Sequence, residues 1–436
     1  MKAIIFVTDL DSKDPTAATV LDRLCGILLL ERHIRTLRRC NITSAYVVAP
    51  RPSDIPERHR PKLTSLGIGV EFLTIADAAN ITGLVDQEKV LFIAGEYLIE
   101  KELIQHVASS ENEALLADSH PPVTAAEPVK VDETRVSAGC ALLPGGFIKR
   151  LQNESDCSWH ELIRVALDDR QPSVIDIDGL SRYNFSIRRH RRSFWMKIKD
   201  RKDLDIAKRA LLEGVQKGSL DWPAKFVHAP IENRLVSWLC NFRITPNEIT
   251  LITIGAAFIV TWLIYSGSLW VGLVGAALVG ILDGLDGKLA RIKMMTSKLG
   301  QLEHLSDVIF EYSWWLAISW VLANGDSSAA IFAAGLVLIL CDLADRLIVL
   351  IFWHLLGRKY QRGPENYTQF DLAFKRIAGR RNIYIWILLI VGALVDIETA
   401  FWLCVFWCVM SVLVRGGRCW WLINRSSPPS EFEITV

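Results

Sequence analysis

The sequence predicts a multidomain chain: a cytosolic α/β domain followed by an all-α bundle of six transmembrane helices. Two observations predict it. Before residue 248 the longest apolar runs are strand-sized, as in "AIIFV" and "VLFIA"; after it they lengthen to "LITIGAAFIVTWLIY" and "AAIFAAGLVLIL". Basic residues then fall on alternate connections only, the pattern of a chain threaded through a membrane with its positive loops inside.

The N-terminal half reads as alternating elements. Strand-like "AIIFV", "AYVVA", "VEFLTI" and "VLFIA" are separated by helical patterns, notably "GILLLERHIRTLRRC". That alternation predicts a sheet with crossover helices over residues 1–215. The opening "MKAIIFVTDLDSKD" has an apolar stretch too short for a signal peptide, which keeps this half in the cytoplasm. Residues 216–248 include "WPAKFVHAPIENRLVSWLC", an amphipathic stretch suited to the membrane surface.

Six spans follow within 249–425, at about 249–267, 269–291, 300–324, 328–356, 381–397 and 399–423, each near the roughly 20 residues a bilayer needs. Connections "SGS", "NGDSS" and "DIET" carry no Lys or Arg, whereas "ARIKMMTSK" and "GRKYQRGPENYTQFDLAFKRIAGRR" do. The basic loops, both termini and a short tail at 426–436 are therefore cytoplasmic, in a multi-pass cytoplasmic (inner) membrane protein. Trp270 and Trp402 stand at outer helix ends. A net charge of +1 gives no global field for nucleic acid. The nine cysteines form no C-x-x-C pair, and Cys404 and Cys408 share an apolar helical face where packing is their expected role.

Chemistry concentrates in "GILDGLDGKLARIK", residues 280–293. Asp283, Asp286, Gly287, Ala290 and Arg291 fall on one helical stripe. The next helix carries Glu303, Asp307 and Glu311 four residues apart, so two acidic stripes of consecutive helices can face each other. Several carboxylates sharing a cavity repel unless a divalent cation joins them, and all-oxygen ligation suits Mg²⁺ or Mn²⁺. Gly284 and Gly287 would leave a bare helix face for a phosphorylated ligand, and Arg291 is placed to meet phosphate oxygens. An ion or small-solute transporter using the same acids is the alternative, although broken helices and repeated halves are missing from the sequence. Asp342 and Arg346, four apart in the fourth span, read as an ion pair, or Arg346 faces the polar cavity and binds an acceptor phosphate. The cations of "FKRIAGRRN", including Arg380 and Arg381, serve topology and anionic lipid or bind a phosphorylated acceptor.

The stretch D-G-L-D-G-K-L-A-R, then eight residues, then Gly300, resembles the signature of the CDP-alcohol phosphotransferases. The resemblance covers roughly residues 225–420, and "TPNEIT" at 245–250 resembles the start of that family's first helix. The pattern departs after Gly300: the family's third acid falls at His304, and a one-residue shift aligns Glu303 and Asp307 with the third and fourth acids. The resemblance implies a reaction that joins a phospho-alcohol or phosphatidyl group from a CDP-linked donor, CDP-diacylglycerol or CDP-inositol, to an acceptor alcohol or phosphorylated alcohol, with release of CMP. It implies metal ligation by Asp283, Asp286, Glu303 and Asp307, with Asp307 as general base, and contact of Asn247, Thr250, Gly287, Ala290 and Arg291 with the CDP moiety. It also implies a homodimer in membrane lipid.

The N-terminal half resembles the Rossmann-like sugar-phosphate nucleotidyltransferases, through residues 26–43, "FIAGE" at 92–96 and "FWMKIKDRKDL" at 194–204. Fusions of such a domain to a CDP-alcohol phosphotransferase occur in enzymes that make CDP-inositol and then use it. Here the phosphate loop near 8–22, "TDLDSKDPTAATVLD", holds no glycine, and Lys197 stands where the closing aspartate belongs. The expectation is a degenerate domain without cytidylyltransferase activity.

Overall fold

The computed structural model describes residues 1–7, 17–51, 53, 55–81, 89–122, 129–151, 158–184, 187, 189–218, 220–295, 300–360 and 363–425, the side chains of 300–304, 360 and 366 excepted. The chain divides into two compact units that part at Val215 and Gln216, with short exchanges at 187–189 and 292–294.

The N-terminal unit is built on a seven-stranded sheet. Its strands are β1 (Lys2–Phe6), β2 (Ser44–Val48), β3 (Gly69–Leu73), β4 (Lys89–Ala94), β6 (Ala114–Asp118), β7 (Val136–Pro144) and β8 (Ser173–Asp176), while β5 (Tyr97–Ile99) and β9 (Trp195–Lys197) pair separately. The order is β8-β6-β7-β4-β1-β2-β3. β1 runs parallel to both β2 and β4, and β7 lies antiparallel between β4 and β6. The strands read as continuous apolar runs because both faces are covered: Ala3, Ile4, Ile5, Val90, Leu91, Phe92 and Ile93 are all fully buried. Helix α1 (Leu29–Arg39) follows the first strand, and even its polar Glu31, Arg32, His33 and Thr36 are buried. Glu31 is compensated there by Arg35 at 2.6 Å and Lys62 at 2.7 Å.

The C-terminal unit is helical. A π-helical turn at Ala224–His228 leads into α2 (Ala229–Leu239), and then come α3 (Pro246–Tyr265), α4 (Leu269–Ile292), α5 (Gly300–Leu322), α6 (Ala330–Phe352), α7 (Gln369–Ile377), α8 (Arg381–Leu394) and α9 (Ile397–Ile423). Around α2, Trp222, Phe226, Ile231, Trp238 and Phe242 are exposed, the apolar face that an interfacial segment presents. α3 starts where its sequence says it should. Thr245 caps it, Glu248 reaches back to the Thr245 amide at 2.7 Å, and Pro246 opens the first turn. One face of α3, with Thr250, Thr253, Ala257, Val260 and Ile264, packs inward, while Leu251, Ile252, Phe258, Ile259 and Trp262 are exposed, as side chains facing lipid are. Small residues let helices approach: a Cβ at Gly275 would lie 2.8 Å from Val260, and one at Gly335 2.5 Å from Ser319.

Among the described residues, α3, α4 and α9 are long and apolar enough to cross a membrane, and α7 with α8, bent by 51°, makes a fourth candidate. Helices α5 and α6 have the length, but both carry charged residues, among them Asp307, Glu311, Asp342, Asp345 and Arg346. Extensive packing runs α3 to α5, α5 to α6, α6 to α9 and α8 to α9.

Candidate active site

The acids of α4 lie in its C-terminal half, as the sequence stripe requires. Asp286 is 3% exposed and accepts a 2.7 Å hydrogen bond from the Thr250 hydroxyl on α3. Its other oxygen, Oδ1, is buried without a hydrogen-bond partner, and so is Oδ1 of Asn247, one turn before Thr250. Buried carboxylate oxygens are seldom left that way, so the pair marks a place where a hard cation or a donor from a ligand is due. Asp283 pairs with Arg381 at the start of α8, 2.7 Å from Nη2, and Arg381 also lies over the Phe310 ring at 5.0 Å. Asp307 stands on α5 within electrostatic reach of Asp283, Asp286, Arg381 and Arg346. Two acidic stripes therefore converge on one region across a gap that Arg381 partly fills. The side chains of Glu303 and His304 lie outside the described residues.

Gly284 is filled, which corrects the bare-face expectation there, whereas Gly287 meets its neighbour only at ordinary contact distance. At Gly284 a Cβ would overlap the Glu232 carboxylate, brought there by α2. At Gly287 the neighbour is Arg291, with Nη1 3.4 Å from where a Cβ would be. Glu232 is itself buried and bonds Lys288 Nζ at 2.9 Å, while Lys288 donates to Asn233 Oδ1 at 2.6 Å. Burial pushes the Glu232 carboxyl above its usual range, and Lys288 draws it back. Ala290 is half-buried on the same stripe, and Arg291 lies within reach of Asp286 and Glu232.

Beside the acids opens a cavity of ≈ 430 Å³ whose walls include Asp307, Glu311, Arg346, Arg380 and Arg381. Arg346 is clamped, Nε to Asp342 at 2.7 Å and Nη2 to Glu311 at 2.9 Å, and Tyr312 donates to the same Asp342 oxygen at 3.1 Å. The i, i+4 pair seen in the sequence thus forms, with a third member from α5. Arg415 of α9 pairs with Asp345 at 2.5 Å. Sequence reasoning missed Asp221, Glu232, Asp345 and Arg415. Asp221 carried a faint signal, an acid two residues before Pro223 at a helix start; the others are ordinary charges until helices from distant positions meet.

In the N-terminal unit, Asp118, Asp176 and Asp178 bring carboxylate oxygens within 4.8 Å of one another, closer than Asp283, Asp286 and Asp307 come. That trio is already engaged, Asp118 by Arg192 and by Trp195 Nε1 at 2.5 Å, Asp178 by Arg192 at 2.8 Å. At the nucleotidyltransferase-like edge, Lys197 on β9 pairs with Tyr97 on β5, its Nζ 5.9 Å from the Tyr97 ring centre. Residues 8–16 of the glycine-free loop lie outside the described residues.

Residues 243–414 match the CDP-alcohol phosphatidyltransferase family. The C-terminal half carries a CDP-alcohol phosphatidyltransferase domain. The enzyme class is therefore CDP-alcohol phosphotransferase, and the transporter alternative gains no support. Similar curated proteins are each described as a bifunctional IPC transferase and DIPP synthase. The one from Thermococcus kodakarensis is 25% identical over 69% of this chain and 71% of its own length. The one from Archaeoglobus fulgidus is 22% identical over 57% of this chain and half of its own length. Among solved structures, the inositol-1-phosphate CTP transferase from T. maritima covers 48% of this chain and 95% of its own, at 14% identity and TM-score 0.35. A Mycobacterium tuberculosis phosphatidylinositol phosphate synthase, solved with CDP-DAG bound, covers 44% and 94% at 16% identity and TM-score 0.33.

Proposed function

We propose that the transferase domain joins the phospho-alcohol or phosphatidyl group of CDP-inositol or CDP-diacylglycerol to an acceptor hydroxyl at the face where α4, α5 and α8 meet. The observation that carries this is the buried, unpartnered Oδ1 of Asp286, within electrostatic reach of Asp307, which itself lines a polar cavity. Asp283, Asp286, Glu303 and Asp307 would hold Mg²⁺ or Mn²⁺, and the all-oxygen donor set fits such an ion. Bound there, the ion would supply charge neutralisation on the pyrophosphate.

The remaining steps belong to the protein. Asn247, Thr250, Gly287, Ala290 and Arg291 border the CDP moiety, with Arg291 on phosphate oxygens. Asp307, at the edge of the cavity, takes the proton of the acceptor hydroxyl as its oxygen bonds to phosphorus. The phosphorus–oxygen bond to CMP breaks, and the electron pair leaves with CMP. Arg346, Arg380 and Arg381 hold a phosphate on the acceptor. Helices α3, α4, α5, α6, α8 and α9 are the six spans, with both termini cytoplasmic, in a homodimer within the inner membrane. The N-terminal unit is a degenerate nucleotidyltransferase-like domain.

Purified protein with magnesium, either CDP-linked donor and a panel of acceptors tests the reading. CMP release with a phosphodiester product identified by mass spectrometry is expected. Failure of every donor to yield CMP would refute it.

A further inference from the structure

The cavity that Asp307 lines also holds two carboxylates that the transfer chemistry does not use. Asp221 comes from the segment before α2 and is 8% exposed. One of its oxygens accepts from the amide of Ala224, the first residue of the π-helical turn, at 2.9 Å. The other takes a long 3.3 Å bond from Asn382 Nδ2. Asp345, on α6, gives one oxygen to Arg415, and its Oδ1 is buried with no hydrogen-bond partner. Both line the same cavity, and Arg380 lies within electrostatic reach of each.

This lining selects among acceptors. An apolar alcohol would leave the buried Asp345 Oδ1 without a donor and Asp221 with only a long second bond. A bare phosphate would satisfy Arg380 but repel both acids. A molecule carrying several hydroxyls offers O–H donors to the carboxylates and oxygens to the arginine together. Resting on the reading above, we propose that Asp221 is a specificity-determining residue that recognises hydroxyls of a polyhydroxylated acceptor, with Asp345 and Arg380 lining the same cavity. The juxtamembrane segment is thereby part of the acceptor pocket as well as a link between units. The π-helical turn after Asp221 fits that role, since such turns gather at functional sites.

The test uses the full chain in detergent, with the better of the two CDP donors held at saturation. Acceptors are inositol, inositol 1-phosphate, glycerol and 1-butanol. Asp221→Asn and Asp221→Ser both retain an N-cap oxygen, so a purely structural cap survives in each. The expected result is a rise of about 10- to 100-fold in KM for the best polyol acceptor, the loss expected for one hydrogen bond to a charged group. The KM for the donor stays within about threefold, and the preference for polyol over 1-butanol shrinks by a similar factor. Unchanged acceptor KM and ranking in both variants, with wild type active, would overturn the inference alone. A wild type that releases no CMP from either donor would remove the underlying reading and this inference together.

Discussion

At the residue scale, the site rests on how each carboxylate is compensated. Asp283 has Arg381, Asp286 has the Thr250 hydroxyl, and Asp307 faces the cavity with arginines nearby. Asp307→Asn preserves volume and removes both base and charge, so CMP release is expected to fall by about 100- to 10,000-fold while the helical circular dichroism is unchanged. More than a tenth of wild-type turnover would exclude Asp307 as the base. A second residue-scale effect lies in the N-terminal unit. His33 is 2% exposed and donates from Nε2 to the Gly95 carbonyl at 2.9 Å, and burial pushes its imidazole down to about 4. The folded state thus binds fewer protons than the unfolded chain between pH 6.5 and about 4. His33's contribution is fully present above pH 6.5 and is lost as pH falls through that window, by up to about 3 kcal/mol. Comparing urea unfolding of wild type and His33→Gln from pH 7 to 4 isolates it. The variant should show the shallower pH dependence, and equal slopes would contradict the assignment.

At the element scale, boundaries were legible because capping and hydropathy are local properties. The sixth span was expected at 399–423 and α9 runs Ile397–Ile423; the fourth, expected at 328–356, is α6 plus a π-helical turn at Trp353–Gly357. What local pattern could not carry is which helix meets which. That α5 also packs on α3 and α6 is not written in the short loop that joins it to α4. The same limit hid Glu232. On α2 it looks like one more solvent-facing charge, and only the notch at Gly284 shows that it is buried against α4 beside Lys288. Removing one partner of a buried pair leaves the other charge stranded, so Glu232→Ala should destabilise the C-terminal unit by about 3–5 kcal/mol. Joint replacement, Glu232→Leu with Lys288→Met, should restore most of the thermal midpoint in detergent. A double variant as unstable as the single one would show that the pair itself holds α2 in place.

At the scale of the whole molecule, an α/β unit and a helical transferase domain share one chain. The relatives are bifunctional, so whether the N-terminal unit is alive bears on where a CDP-linked donor comes from. Transfer of a nucleotide from CTP needs backbone amides around the phosphates and acids on a metal. Here Lys197 stands beside Tyr97, at the position where the sequence resemblance expects an acid. Full-length protein given CTP, magnesium and inositol 1-phosphate or sugar 1-phosphates is therefore expected to release no pyrophosphate above background. Clear, substrate-dependent release would show a working cytidylyltransferase and make CDP-inositol the first donor to test. By itself the sequence determined the division into an α/β half and a helical half, the helix limits, and the acids at 283, 286 and 307, because hydropathy, caps and i, i+3, i+4 spacing are written locally. The tertiary structure alone decided that Arg381 meets Asp283, that Glu232 fills Gly284, and that Asp221 and Asp345 share one cavity. Those contacts join residues tens to more than a hundred positions apart, and a charge shows whether it is buried, paired or open only when its neighbours are in place.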